Sequence, residues 1–168
     1  MQIRIAGMEP ESIVDGPGYR FTVFTQGCPH GCPGCHNPQT HDFEGGRLTD
    51  TAEIIAHLGK NPLVRGLTLS GGEPMMQAEA ACEIAEAAKE KGMNVWCYTG
   101  FTLEALVKEN RPDRMRLLSL LDVLVDGPFL SQERSLELLY CGSRNQRLID
   151  MPRTLAAGEI VLYTPPEW

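Results

Sequence analysis

Short strand-like runs alternate with helical patterns along the whole chain, which leaves few folds open to it. Strands are expected over Ile3–Ala6, Arg20–Thr25, Gly66–Leu69, Asn94–Tyr98, Asp122–Val125 and Glu159–Tyr163. Between the third and fourth, Ala78, Ala81, Cys82, Ala85 and Ala88 recur at helical spacing, with Glu79, Glu83, Glu86, Lys89 and Glu90 elsewhere on the surface and Gly92 placed to stop the helix. Further helices fit Thr51–Leu58, Leu103–Lys108, Arg114–Leu121 and Gln132–Leu139, with Thr49 or Asp50, Thr102 and Ser131 as N-caps. Alternation of this kind implies parallel βαβ units. A closed eight-fold barrel needs about 200 residues or more, and the chain has 168. The expectation is therefore one α/β domain over residues 1–168, an incomplete (β/α) barrel or curved open sheet of about five or six mostly parallel strands. Residues 164–168 read as a loose tail.

In such folds chemistry collects at the C-terminal ends of the strands. Four loops of unusual composition each follow an expected strand: Gln26–Asn37, Ser70–Pro74, Thr99–Phe101 and Asp126–Phe129. They should fall on one face.

Composition narrows the classes of function. Apolar residues make up 42% and charged residues 22%, enough for a core and ordinary for a soluble chain. The net charge of −7 argues against nucleic acid as a main partner. No stretch approaches the roughly 18 apolar residues of a membrane span, and the first residues lack the apolar core of a signal peptide. A cytoplasmic location is expected, without membrane contact. There thiols stay reduced, so the six cysteines suggest metal binding or catalysis before disulfides. Three fall within eight residues; Cys82, Cys97 and Cys141 stand alone.

The cysteine-rich run is Cys28-Pro29-His30-Gly31-Cys32-Pro33-Gly34-Cys35. Thiolates are the usual ligands of iron–sulfur clusters, and a [4Fe–4S] cube normally takes four. Three cysteines in one irregular loop can hold three irons and leave the fourth open to an exogenous ligand. A zinc site with His30 or His36 as fourth ligand is the other reading of the same spacing. In Ser70-Gly71-Gly72-Glu73-Pro74, two glycines allow close approach of a ligand to backbone, and Glu73 could accept a hydrogen bond from an ammonium group. The same residues also suit a plain strand-to-helix turn. Asp15-Gly16-Pro17-Gly18 reads as a turn. Gly142–Arg147 (GSRNQR) reads either as a polar loop or as a donor-rich edge for a partner or an anion.

Together these residues resemble the radical S-adenosylmethionine superfamily, through the Cys28-x3-Cys32-x2-Cys35 loop followed by Gly71-Gly72-Glu73-Pro74. Within it the chain is similar to the glycyl-radical-enzyme activases, through Val14–Arg20, Phe24–Cys28 and Cys35–Pro38. Among these it most resembles the activators of anaerobic ribonucleoside-triphosphate reductase, through Val95–Phe101 (VWCYTGF), Asp122–Phe129 (DVLVDGPF) and Gly142–Arg147. The resemblance implies a [4Fe–4S] cluster on Cys28, Cys32 and Cys35 whose open iron binds S-adenosyl-L-methionine. It also implies reductive cleavage to methionine and a 5′-deoxyadenosyl radical, which installs a glycyl radical on the partner enzyme. It places Gly34, Cys35, His36, Gly71, Gly72 and Glu73 against the cofactor, Glu73 holding either the turn or the amino group. Asp15–Gly18 would shape the cluster's surroundings, with Thr99 and Asp126 as further candidates at strand ends. No side chain is required as a general acid or base. The implied partners are the reductase and an electron donor such as flavodoxin or ferredoxin.

Three features depart from that pattern. His36-Asn37-Pro38 looks more like the pyruvate formate-lyase type of activase. Cys141 stands where Arg is common, and Arg144 where Ser is usual. Activation of another glycyl-radical enzyme, a radical enzyme acting on a small molecule, and a zinc-stabilised binding module are the alternative functions.

Overall fold

The computed structural model describes residues 1–165. Seven strands form one sheet: β1 (Gln2–Ser12), β2 (Arg20–Thr25), β3 (Arg47–Asp50), β4 (Gly66–Gly71), β5 (Asn94–Tyr98), β6 (Val123–Asp126) and β7 (Arg147–Asp150), in the order β3-β1-β2-β4-β5-β6-β7. The inner four, β2, β4, β5 and β6, are parallel. β1 runs antiparallel to β2 and β3, and β7 antiparallel to β6. β3 and β7 end the sheet without pairing to each other, so it is open.

Helices α1 (Thr51–His57), α2 (Ala78–Glu90), α3 (Leu103–Glu109), α4 (Pro112–Leu120) and α5 (Met151–Ala157) connect or follow the strands. Local chemistry sets where they begin. The Asp50 side chain accepts from the Ala52 N–H and the Thr102 side chain from the Ala105 N–H, each satisfying an orphan donor of a first turn. The small face of α2 (Ala78, Ala81, Cys82, Ala85, Ala88) is almost wholly buried, which lets the helix lie close against the sheet.

Strand alternation separates two faces. Val23, Leu67, Leu69, Val95, Cys97 and Leu124 point into the main core with the helices. Trp96, Val123 and Val125 point the other way, with Tyr98, Tyr140, Leu148 and Tyr163 against them. This second face also carries Arg20, fully buried. Its guanidinium donates to Thr68 Oγ1 (2.7 Å), Leu67 O (2.8 Å) and Pro17 O (3.2 Å), and it stacks over Trp96 at 5.4 Å. Three hydrogen bonds from one planar fork explain why an arginine is tolerated here: it ties β2 to β4 and to the turn that begins at Asp15.

Three sequence expectations need correction. The strand count is seven, because four-residue β3 and β7 carry no apolar run long enough to announce themselves. Glu159–Tyr163 makes only a single bridge, Ile149 to Leu162, and α5 precedes it, its first turn opened by Pro152. Gln132–Leu139 is not helical beyond a short 3-10 turn at Ser131–Glu133, which Ser131 does not cap. Its backbone pairs instead with the following loop, through Ser135 N–H to Gly142 O (3.3 Å) and Arg144 N–H to Glu133 O (3.0 Å). Of the tail, Thr164 and Pro165 are irregular, and residues 166–168 lie outside the described residues.

Candidate iron–sulfur and cofactor site

The parallel strands β2, β4, β5 and β6 deliver their exit loops to one end of the sheet, as the alternation implied. A cavity of about 420 Å3 opens there. Cys28, Cys32, Cys35 and His36 from the first loop line it, with Gly71 and Gly72, Thr99 and Gly100, and Gly127 and Phe129 from the next three. Asp15, His30, His41, Tyr98, Tyr140 and Cys141 are among the other residues on the wall. No lysine or arginine lines it among the described residues.

All three loop cysteines are free and partly exposed to this cavity. Burial pushes the Cys28 thiol up. The His30 backbone N–H, aimed at the sulfur, opposes that, and negative charge on Glu73, Cys32 and Cys35 adds to it. With no lysine or arginine on the wall, a bound cation is what would favour a thiolate at Cys28. No three of His, Cys, Asp or Glu among the described residues close on one point as they would around a single ion. Three thiols set around one wall instead suit a cube, whose irons each take one.

The glycine pair has a packing reason that the sequence did not reveal. A Cβ on Gly72 would lie 2.5 Å from Gly27 O and 2.9 Å from Thr40 O. Gly71, at φ +99°, has the Thr25 backbone at 2.5 Å. This turn is therefore pressed against the root of the cysteine loop. Gly72 N–H donates to Thr25 O and Glu73 N–H to Gly27 O, both at 2.9 Å. If Gly72 served only the close approach of a ligand, Gly72→Val would spare the cluster and weaken only cofactor binding. The geometry predicts more: a branched side chain meets the backbone of the residue before Cys28, so the loop must shift. Gly72→Val is expected to lower iron and sulfide content after anaerobic reconstitution as well as cofactor affinity. Full cluster content in that variant would contradict this packing.

Glu73 does not line the cavity. It is fully buried, and its carboxyl group is taken up by Thr99 Oγ1 (2.8 Å), Gly100 N–H (2.8 Å), Met75 N–H (3.0 Å) and His30 Nε2 (2.6 Å). Of the two roles expected for it, holding the turn is the one its contacts serve. Gly34 also stays off the wall and faces Phe129 and Ser131. Asp126 is buried under the site, accepting from the Leu103 N–H (2.8 Å) and from Arg147. Thr99 does reach the wall, but its hydroxyl serves Glu73. The contributions of Phe129, which meets His36 edge-on at 5.1 Å, and of Gly100 were not foreseen. Both lie in loops that follow expected strands, Thr99–Phe101 and Asp126–Phe129, which is the signal the sequence offers.

A family model described as a 4Fe-4S single cluster domain matches residues 14–149, which include every element of the site. Curated relatives match over most of their length, and two of them illustrate the likeness. One, the anaerobic ribonucleoside-triphosphate reductase-activating protein of Vibrio cholerae, is 39% identical over 82% of this chain and 91% of its own. Its counterpart from Haemophilus influenzae is 34% identical over the same shares. The chain belongs to this family of activating proteins. A [4Fe–4S] cluster is accordingly its cofactor. Among solved structures, QueE from Escherichia coli aligns with a TM-score of 0.47 and 19% identity over 61% of this chain and 54% of that one, too distant to add to the assignment.

Within the activating-protein family, the Gly142–Arg147 loop stood out as a possible partner edge. The side chains of Asn145, Gln146 and Arg147 are instead bonded within the molecule, while Arg144 is exposed. Asn145 Nδ2 donates to Pro128 O (2.7 Å) and Gln146 Nε2 to Gly127 O (3.1 Å), while Gln146 Oε1 accepts from Gly142 N–H (2.8 Å). Arg147 bridges Asp126 and Glu104. The loop braces the exit of β6, where Gly127 and Phe129 meet the cavity. Changing Asn145, Gln146 and Arg147 together to Ala is therefore expected to cost at least about 3 kcal/mol, since it strands buried Asp126 and two carbonyls. Thermal unfolding of the apoprotein measures this; a melting temperature equal to the parent's would return the loop to partner duty.

Proposed function

We propose that this protein reductively cleaves S-adenosyl-L-methionine at its [4Fe–4S] cluster and thereby installs a glycyl radical on an anaerobic ribonucleoside-triphosphate reductase. The observation that carries this reading is the junction of three free cysteines from one loop with a glycine pair from the next, on one wall of an open cavity. The relatives' names supply the partner.

Cys28, Cys32 and Cys35 would bind three irons and leave one free for the cofactor's amino and carboxylate groups. When bound, cluster and cofactor would supply the radical chemistry, reductive cleavage of the sulfonium to methionine and removal of one hydrogen from a glycine Cα, with the electron coming from an external donor. The chain's own residues hold and shield. Gly71 and Gly72 offer side-chain-free backbone to the methionine part, and Cys35 and His36 line the same side. No residue is assigned as acid or base. The mouth is open beside Val14, which is 72% exposed, so a loop of the reductase has room to enter and exclude water.

Residues 1–168 act as one domain in this reading, in the cytoplasm, with flavodoxin or ferredoxin as electron donor. No helix among the described residues is long and apolar enough to cross a membrane. The reading is tested with the isolated, reconstituted protein and dithionite. Methionine and 5′-deoxyadenosine should form in equal amounts and only with the cluster present. Colourless protein holding zinc and no acid-labile sulfide would overturn it.

A further inference from the structure

Two phenols on the wall of the cofactor cavity have no part in holding the cluster. Tyr98 ends β5, one residue past the pairing of Cys97 with Leu69 of β4, and Tyr140 stands in the loop before β7. Both share the cavity with the loop cysteines and the glycine pair. Neither hydroxyl is hydrogen-bonded among the described residues, and neither is a buried orphan there, so both open onto the cavity. Tyr140 is also held at φ +65°, a left-handed conformation that a bulky residue adopts only under strain. Its ring stands edge-on to Trp96 at 5.3 Å, which fixes it at the boundary between core and cavity.

Bond strength ranks the side chains of such a wall as hydrogen-atom donors. A phenolic O–H or a thiol S–H is weaker than an aliphatic C–H, whereas an alcohol O–H or an amide N–H is not. The hydroxyls of Ser70 and Thr99 and the amide of Gln146 are therefore poor donors to an alkyl radical, and Tyr98, Tyr140 and Cys141 are good ones. The Cys141 thiol is turned toward Gln146 O, at 3.9 Å, which leaves the two phenols facing the cavity. Trp96 behind Tyr140 lies under the Arg20 guanidinium at 5.4 Å. A cation over the indole opposes loss of an electron from it, so an unpaired electron stays on the phenol and does not pass into the sheet.

We infer that Tyr98 and Tyr140 are hydrogen-atom donors that protect the chain when the cofactor is cleaved with no partner glycine in reach. The phenolic O–H breaks, its hydrogen completes the methyl group of 5′-deoxyadenosine, and a tyrosyl radical remains. One electron from the external donor that serves the cluster, with one proton from water, restores the phenol. Without such donors an idle radical attacks the C–H bonds of the wall, the competing reaction a site of this kind has to exclude. The inference rests on the cleavage reading above and not on the identity of the partner.

The test uses the full chain, reconstituted anaerobically and run without reductase in heavy water with S-adenosyl-L-methionine and dithionite. Phenol hydrogens exchange with solvent and C–H hydrogens do not, so the 5′-deoxyadenosine is expected to carry deuterium. Combining Tyr98→Phe with Tyr140→Phe keeps both rings and is expected to lower the deuterium per 5′-deoxyadenosine several-fold. A second readout comes from the chain itself, reduced stoichiometrically, mixed with the cofactor and frozen. Electron paramagnetic resonance should show an organic radical that narrows in protein grown with ring-deuterated tyrosine and is missing from the double variant. Unchanged deuterium in the double variant, a fall in Cys141→Ala instead, or a spectrum indifferent to the tyrosine label would overturn the inference while leaving the cleavage reading intact. Absence of 5′-deoxyadenosine from every sample would overturn the cleavage reading, and the inference with it.

Discussion

Replacing Cys28, Cys32 or Cys35 by Ala is expected to abolish the intact cluster, with iron and sulfide falling at least about tenfold. Loss of a partner that only orients a ligand costs about 10–100-fold in metal affinity, and in the proposed reading each of these thiols is itself one of three protein ligands. His30 Nε2 is occupied by Glu73, and Cys141, on the same wall, lies in another loop. Cys82 and Cys97 provide the contrast. Both are buried in the main core, where desolvation pushes the Cys82 thiol up to about 11 and raises that of Cys97. They behave as small hydrophobes. Cys82→Ala and Cys97→Ala should reconstitute fully and lose only about 1 kcal/mol of stability. Cys141, whose thiol burial also raises to about 11, should likewise be dispensable for iron. Loss of the cube in the Cys82 or Cys97 variant, or its retention in any of the first three, would refute the ligand assignment.

The second large effect belongs to Glu73. Glu73→Ala removes the shared acceptor of Thr99, Gly100 and Met75 and the partner of His30, all at a fully buried position. Donors stranded in this way cost far more than an exposed hydrogen bond contributes. The expected loss is about 3–5 kcal/mol, a large share of the 5–15 kcal/mol typical of a folded domain. For a chain of this length that corresponds to a melting temperature lower by on the order of 10 °C. The measurement is calorimetry of the apoprotein, so that no effect on cofactor binding can produce the result. Glu73→Gln keeps one acceptor and should fall between. If Glu73→Ala melted with the parent and lost only cofactor affinity, the carboxyl group would belong to the cofactor's amino group after all.

The sequence made some of this legible and not the rest, for physical reasons. Long periodic elements were readable. The small-residue face of α2 and the runs of β2, β4, β5 and β6 announce themselves because burial on a fixed period writes itself into residue type. The four-residue strands β3 and β7 owe their existence to neighbours, β1 and β6, and so left no local signal. Gln132–Leu139 has apolar residues in number, yet Leu136 is 85% exposed, so hydrophobicity without a partner face was misleading. At the site, the cysteine loop and the glycine pair were visible because their spacing is the chemistry. What the sequence could not show was which neighbour each residue serves. Glu73 reads as holding either the turn or a ligand's amino group, and its carboxyl group is bonded to protein; Gly72 lines the cavity, yet its missing side chain is on the protein side. Asn145–Arg147 misled in the same way, because a donor-rich loop looks alike whether its partners lie inside or outside the molecule.

Transfer of a glycine hydrogen tests the central claim most directly. A reductase grown with Cα-deuterated glycine is mixed anaerobically with the reconstituted protein, S-adenosyl-L-methionine and reductant, and the 5′-deoxyadenosine is analysed by mass while the reductase is examined by electron paramagnetic resonance. The account predicts deuterium in the 5′-deoxyadenosine and a matching glycyl-radical signal on the reductase, both absent with the Cys32→Ala chain. Undeuterated 5′-deoxyadenosine together with a silent reductase would contradict it.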